Sequence, residues 1–121
     1  MISIRTLTAH DTEALEQVRQ YFRNFAAWLG VDLSFQNFEQ EMAFLPGSYA
    51  EPQGRLFFAE FCGRPAGCVG IRPLPDSEGT CEMKRLYVDP EFRGKSVGRA
   101  LALEAIKAAK AVGYRRLLID T

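Results

Sequence analysis

The 121-residue chain has one histidine, one tryptophan and three cysteines, with no C-x-x-C pair among them. With His10 alone, and placed at a predicted helix start, no thiol or hydroxyl has an imidazole partner for nucleophilic catalysis. Cys62, Cys68 and Cys81 are odd in number and unpaired in spacing, which argues against a disulfide or zinc framework and for reduced thiols in a cytoplasmic protein. Cys68 and Cys81 fall on predicted strands and read as small core residues. No metal site is expected. No apolar run approaches the ~20 residues needed to cross a bilayer. No cationic stretch followed by an apolar one opens the chain, so neither membrane insertion nor secretion is expected. Net charge is also missing: 15 Lys and Arg offset 15 Asp and Glu. A general nucleic-acid binder carries a larger basic excess, so no nucleic-acid partner is expected.

What remains is an ordinary globular composition and enough length for one domain with a real core, residues 1–121. The charges are unevenly spread. Residues 1–81 hold 6 basic and 10 acidic side chains, residues 82–121 hold 9 and 5. A basic second half in a neutral chain fits a small polyanionic ligand.

Ile2 to Arg5 alternates apolar and polar, a short strand. Thr8 or Asp11 is placed to cap a helix ending at Gly30. Its apolar face is Leu15, Val18, Phe22, Phe25 and Leu29. Ser34 is placed to cap a second helix through Phe44, stopped by Pro46-Gly47. Arg55–Phe61 and Ala66–Arg72 read as a hairpin joined at Cys62–Pro65. Glu82–Val88 is a fourth strand, stopped by Asp89-Pro90. A long helix over Val97–Val112 follows, with Val97, Leu101, Ala105, Ala108 and Val112 on one face. Leu117–Ile119 is a short apolar strand, as expected of a buried parallel position. The order is β-α-α-β-β-β-α-β, an α/β (α+β) fold with a mixed sheet and one β-α-β crossover.

Arg93-Gly94-Lys95-Ser96-Val97-Gly98-Arg99 lies between the fourth strand and the long helix. Glycines there let a ligand approach the backbone, the helix N-terminus offers free N–H groups, and the cations suit phosphate. Gly94-Lys95-Ser96 imitates the end of a P-loop, but that motif needs a glycine where Asp89 stands, with Pro90 after it. Asp89 and Pro90 place a negative charge and a missing N–H at the loop mouth, so a nucleotide triphosphatase is set aside.

The run MKRLYVDPEFRGKSVGRALALEAI resembles the strand-loop-helix core of the GNAT superfamily of acetyl-CoA-dependent N-acetyltransferases. The pyrophosphate loop of that family, Arg/Gln-x-x-Gly-x-Gly/Ala, is similar to residues 93–98, with Ser96 where the family usually has glycine. The resemblance covers essentially the whole chain. It implies acetyl-CoA as cosubstrate, a small-molecule or peptide primary amine as acceptor, and direct attack in a ternary complex. Leu86, Tyr87 and Val88 would present backbone groups to the pantetheine arm. Arg93, Gly94, Lys95, Ser96, Val97, Gly98 and Arg99 would hold the pyrophosphate. Glu82 would act as general base on the incoming ammonium. Tyr87 reads as a packing residue, and Phe25, Trp28, Phe35, Phe38 and Tyr49 read as core by their helical spacing.

Family members normally continue past the fifth strand with a helix and two strands, where this chain stops at Thr121. An apolar strand edge left uncovered is unfavourable, so either the chain is cut short or a second copy pairs with it, and a homodimer is expected. The rival to an enzyme is a non-catalytic acyl-CoA-binding or regulatory module. A structural interaction domain that binds no CoA is the third reading.

Overall fold

The computed structural model describes residues 1–30 and 38–119. Five strands form one mixed sheet in sequential order: β1 (Ile2–Thr6), β2 (Arg55–Phe61), β3 (Arg64–Pro73), β4 (Thr80–Val88) and β5 (Arg116–Ile119). The first four are antiparallel to their neighbours, and β5 runs parallel to β4. Among the described residues three α-helices pack on the sheet: α1 (Thr12–Leu29), α2 (Phe38–Ala43) and α3 (Val97–Val112). The element order and the parallel crossover through α3 match the sequence expectation.

Two apolar layers cover the two faces of the sheet. On one face, Leu15, Val18 and Phe22 of α1 pack with Met42, Tyr49, Leu56 and Phe58. On the other, Val97, Leu101, Ala105 and Ala109 of α3 pack with Val69, Ile71, Cys81 and Met83. Alternation along β4 explains the division, because successive side chains point to opposite faces. Tyr49 lies flat over β3, where a Cβ on Gly70 would fall 2.6 Å from its ring. Only glycine admits that approach.

Several boundaries differ from expectation. Asp11 sits at the start of α1 but does not cap it. Its carboxylate accepts the Thr8 N–H at 2.7 Å and an Arg5 N–H at 3.1 Å. The Thr8 bond, countered slightly by burial, holds the Asp11 pKa below the usual range. The buried face of α1 ends at Phe22, with Phe25 and Leu29 exposed. The buried stripe of α3 ends on Ala109, while Ala108 and Val112 are half-buried. Such a drift follows when a helix keeps one face down by steps of four. β3 takes in Arg64 and Pro65, leaving a tight Cys62-Gly63 turn. β5 is not buried as an apolar run predicts: Leu118 and Ile119 are 48% and 62% exposed, because β5 is the outermost strand. The expected cap Ser34 and the aromatic Phe35 lie outside the described residues.

Candidate active site

β4 changes character along its length. Thr80–Met83 pair with β5 on one edge and β3 on the other. Past Met83 the outer edge has no partner strand among the described residues. Here the β3 register slips: Cys68 faces Tyr87 and Gly70 faces Lys84, so Arg85 and Leu86 stand opposite Val69 alone. That is a β-bulge, and Arg85 adopts a left-handed φ of 63° within it.

The bulge decides which backbone groups face outward. Asp89 donates its N–H to the Ala66 carbonyl at 2.8 Å. Direction alternates along a regular strand, so the groups of Tyr87 also turn to β3 and those of Val88 face the open edge. At the bulge the Arg85 carbonyl accepts the Cys68 thiol of β3 at 3.4 Å, so the Leu86 N–H on the same trans peptide points away from β3, to the open edge. The Val88 carbonyl accepts Arg93 Nε at 3.0 Å. The 9%-exposed Tyr87 ring packs with Tyr21, centroids 5.1 Å apart. Among the described residues the buried Tyr21 hydroxyl meets no hydrogen-bond partner, and desolvation, with the Asp89 charge added, pushes its pKa upward.

After β4, Asp89 accepts the Glu91 N–H and a single 3-10 turn, Pro90–Phe92, leads into the glycine-bearing loop. Gly94 takes φ 83° and Ser96 takes φ 67°. Serine at that value is strained, which gives a backbone reason for glycine at this place in the family. The Ser96 side chain does not cap α3. Among the described residues, no acceptor meets the N–H groups of Gly94 to Arg99. They form a concave donor set at the positive end of a 16-residue helix. Arg93 lies over the Tyr87 ring at 5.6 Å, Lys95 over Phe61 at 5.8 Å, and Arg99 is exposed.

A cavity of about 480 Å³ opens between α1 and the outer end of β4. Its walls are Asn24, Phe25, Trp28, Leu86, Tyr87, Val88, Pro90 and Arg93. Phe25 and Trp28 stack at 6.2 Å, and Trp28 is 78% exposed. Both were expected in the core; they line a cleft instead, because α1 runs past the edge of the apolar layer. Tyr49 does belong to the core.

Glu82 lies on the α1 side of β4, directly opposite Arg72, whose Nε donates to it at 2.9 Å. Arg72 also stands 3.8 Å from Glu41 of α2. Glu41 receives two 2.9 Å bonds from Arg85 and one of 3.2 Å from the Tyr49 hydroxyl. Burial, reinforced by the Glu41 charge, pushes the Tyr49 pKa up to about 12. Burial works against the Arg85 charge, but the Glu41 bonds and charge outweigh it and its pKa rises. The sequence offers no sign of the Glu41–Arg85 pair, whose members are 44 residues apart. Nor do glycine or proline mark the bulge. Cys68 and Cys81 are buried, and desolvation raises both thiol pKa values.

The sequence and the fold are both similar to known proteins. Residues 15–121 match the model of the acetyltransferase (GNAT) family. An uncharacterized N-acetyltransferase of Schizosaccharomyces pombe is 39% identical over 105 residues, covering 86% of this chain and 61% of that protein. The Escherichia coli K12 N-acetyltransferase YjgM is 31% identical over 120 residues, covering 98% and 71%. The chain thus spans about three-fifths to seven-tenths of the length of these relatives. In fold it is similar to a GNAT acetyltransferase of Staphylococcus aureus Mu50, with TM-score 0.76 and 17% identity, covering 100% of this chain and 73% of that one. It is also similar to the PaiA N-acetyltransferase of Thermoplasma acidophilum in complex with coenzyme A, with TM-score 0.66 and 23% identity, covering 94% and 75%. No described helix is long and apolar enough to cross a membrane. The chain belongs to the GNAT acetyltransferase family, whose cosubstrate is acetyl-CoA.

Proposed function

We propose that the chain transfers the acetyl group of acetyl-CoA to a primary amine of a small molecule or peptide. One observation carries the reading: a row of unpaired N–H groups, Gly94 to Arg99, adjoins the unpaired edge of β4. The first suits a pyrophosphate and the second an extended amide-bearing arm. Arg93, Lys95 and Arg99 add charge at the phosphate end. The pantetheine arm lies along Leu86 and Val88, with Phe25 and Trp28 as the facing wall of the cavity.

The thioester end then reaches the bulge. The Leu86 N–H polarises the acetyl carbonyl, as an oxyanion-hole donor does. The amine nitrogen bonds to the acetyl carbon, the C–S bond breaks, and the proton that the nitrogen sheds on becoming an amide passes through water to the departing CoA sulfur, which leaves as the thiol. An amine acceptor is an ammonium at neutral pH and must first lose a proton, which Glu82 accepts directly or through water.

Thiol release from acetyl-CoA, measured across small amines and peptides, tests this. Glu82→Gln should lower turnover ~100-fold or more while acetyl-CoA binding is retained. Full turnover in that variant at every pH removes Glu82 as the base. We also propose that a second copy covers Leu118 and Ile119 at the β5 edge. Light scattering should then give twice 13.6 kDa, and a 13.6 kDa particle counts against the dimer.

A further inference from the structure

The β4 bulge is held by a side chain from another element. Arg85, at its left-handed φ of 63°, sits where a residue other than glycine is strained. Its Nε and Nη2 reach the two oxygens of Glu41, each at 2.9 Å, the fork geometry of a bidentate guanidinium–carboxylate pair. The Arg85 guanidinium also lies over the Phe22 ring at 5.4 Å. The two side chains are 14% and 18% exposed, so water screens them little. Glu41 is fixed in turn by the Tyr49 hydroxyl, and Tyr49 is clamped flat on β3 at Gly70. Leu86, the residue after Arg85, carries the N–H that faces the open edge.

We infer that Glu41 is a positioning residue: through Arg85 it fixes the β4 bulge and so aims the Leu86 N–H at the thioester carbonyl. The inference rests on the acetyl-CoA reading above and goes beyond it by assigning the α2 carboxylate. Glu41 acts on a backbone donor, so its removal should weaken recognition of the acetyl group and spare that of CoA. Phosphate binding belongs to residues 93–99, on a different segment.

The test compares the dissociation constants of acetyl-CoA and CoA by calorimetry, which needs no acceptor. The wild-type chain should bind acetyl-CoA about five-fold tighter than CoA, the size expected of one neutral hydrogen bond. Glu41→Gln should bring that ratio to about one, with CoA affinity unchanged within about two-fold. Arg85→Lys keeps the charge but loses the fork and should do the same, and the double variant should add nothing further. Should Glu41→Gln fail to fold, Arg85→Lys decides. A variant that melts earlier but keeps the wild-type ratio shows a structural role only and overturns the inference. Equal affinities in the wild-type chain overturn it as well. Absence of binding by both ligands instead overturns the acetyl-CoA reading itself.

Discussion

The two halves of β4 are built to opposite ends. From Thr80 to Met83 the strand is paired on both edges, and Cys81 and Met83 are at most 3% exposed in the α3-side core. From Arg85 to Val88 it is bulged, has no partner strand on its outer edge among the described residues, and is flanked by the cavity and the donor loop. The first half satisfies its backbone within the sheet. The second leaves backbone groups unsatisfied, which costs stability unless a ligand takes them. The contrast teaches that stability and binding are carried by neighbouring stretches of one strand, so mutations a few residues apart should move different observables.

The largest stability effect belongs to the paired half. Met83→Ala removes a buried side chain from a packed layer and should cost about 3 kcal/mol. Chemical denaturation should show the loss, while the acetyl-CoA affinity of the folded fraction stays the same. In the open half the expectation reverses. Lys95→Ala with Arg99→Ala should weaken acetyl-CoA binding about 10- to 100-fold and leave the melting temperature nearly untouched. Unchanged affinity would mean that the loop does not hold the phosphates. A smaller effect of opposite sign is expected at Ser96. Glycine there relieves the left-handed strain at φ 67° and should stabilise the chain by about 1 kcal/mol. The mildest distinction is chemical. Cys62 is exposed whereas Cys68 and Cys81 are buried, with thiol pKa values raised by desolvation. A thiol reagent at neutral pH should therefore modify one cysteine quickly, and the other two only after unfolding.

Much of the paired half was legible in the sequence, because alternation and turn residues report local geometry. The order of elements, the Gly30 helix end, the hairpin and the parallel last strand follow from such local signals. The donor loop was legible too, since strand, glycines, cations and helix are contiguous from Arg85 to Arg99. What the sequence hides is non-local. The Arg72–Glu82 contact pairs adjacent strands, but Glu41–Arg85 joins α2 to a bulge that no residue type marks. The outward turn of Phe25 and Trp28 depends on where α1 overruns the sheet, which helical periodicity does not encode. The same limit applies to Leu117–Ile119, whose apolar run reads as buried until the strand order puts it at the edge.

We propose that the open half of β4 and its loop form a CoA site, and titration with acetyl-CoA puts that proposal to the test. Trp28 is the sole tryptophan and lies on the cavity wall, so calorimetric heat and a change in its emission should saturate together. Saturation at micromolar acetyl-CoA, lost together with the cations of Lys95 and Arg99, is the result the account predicts. No heat and no change in emission at millimolar acetyl-CoA would contradict it.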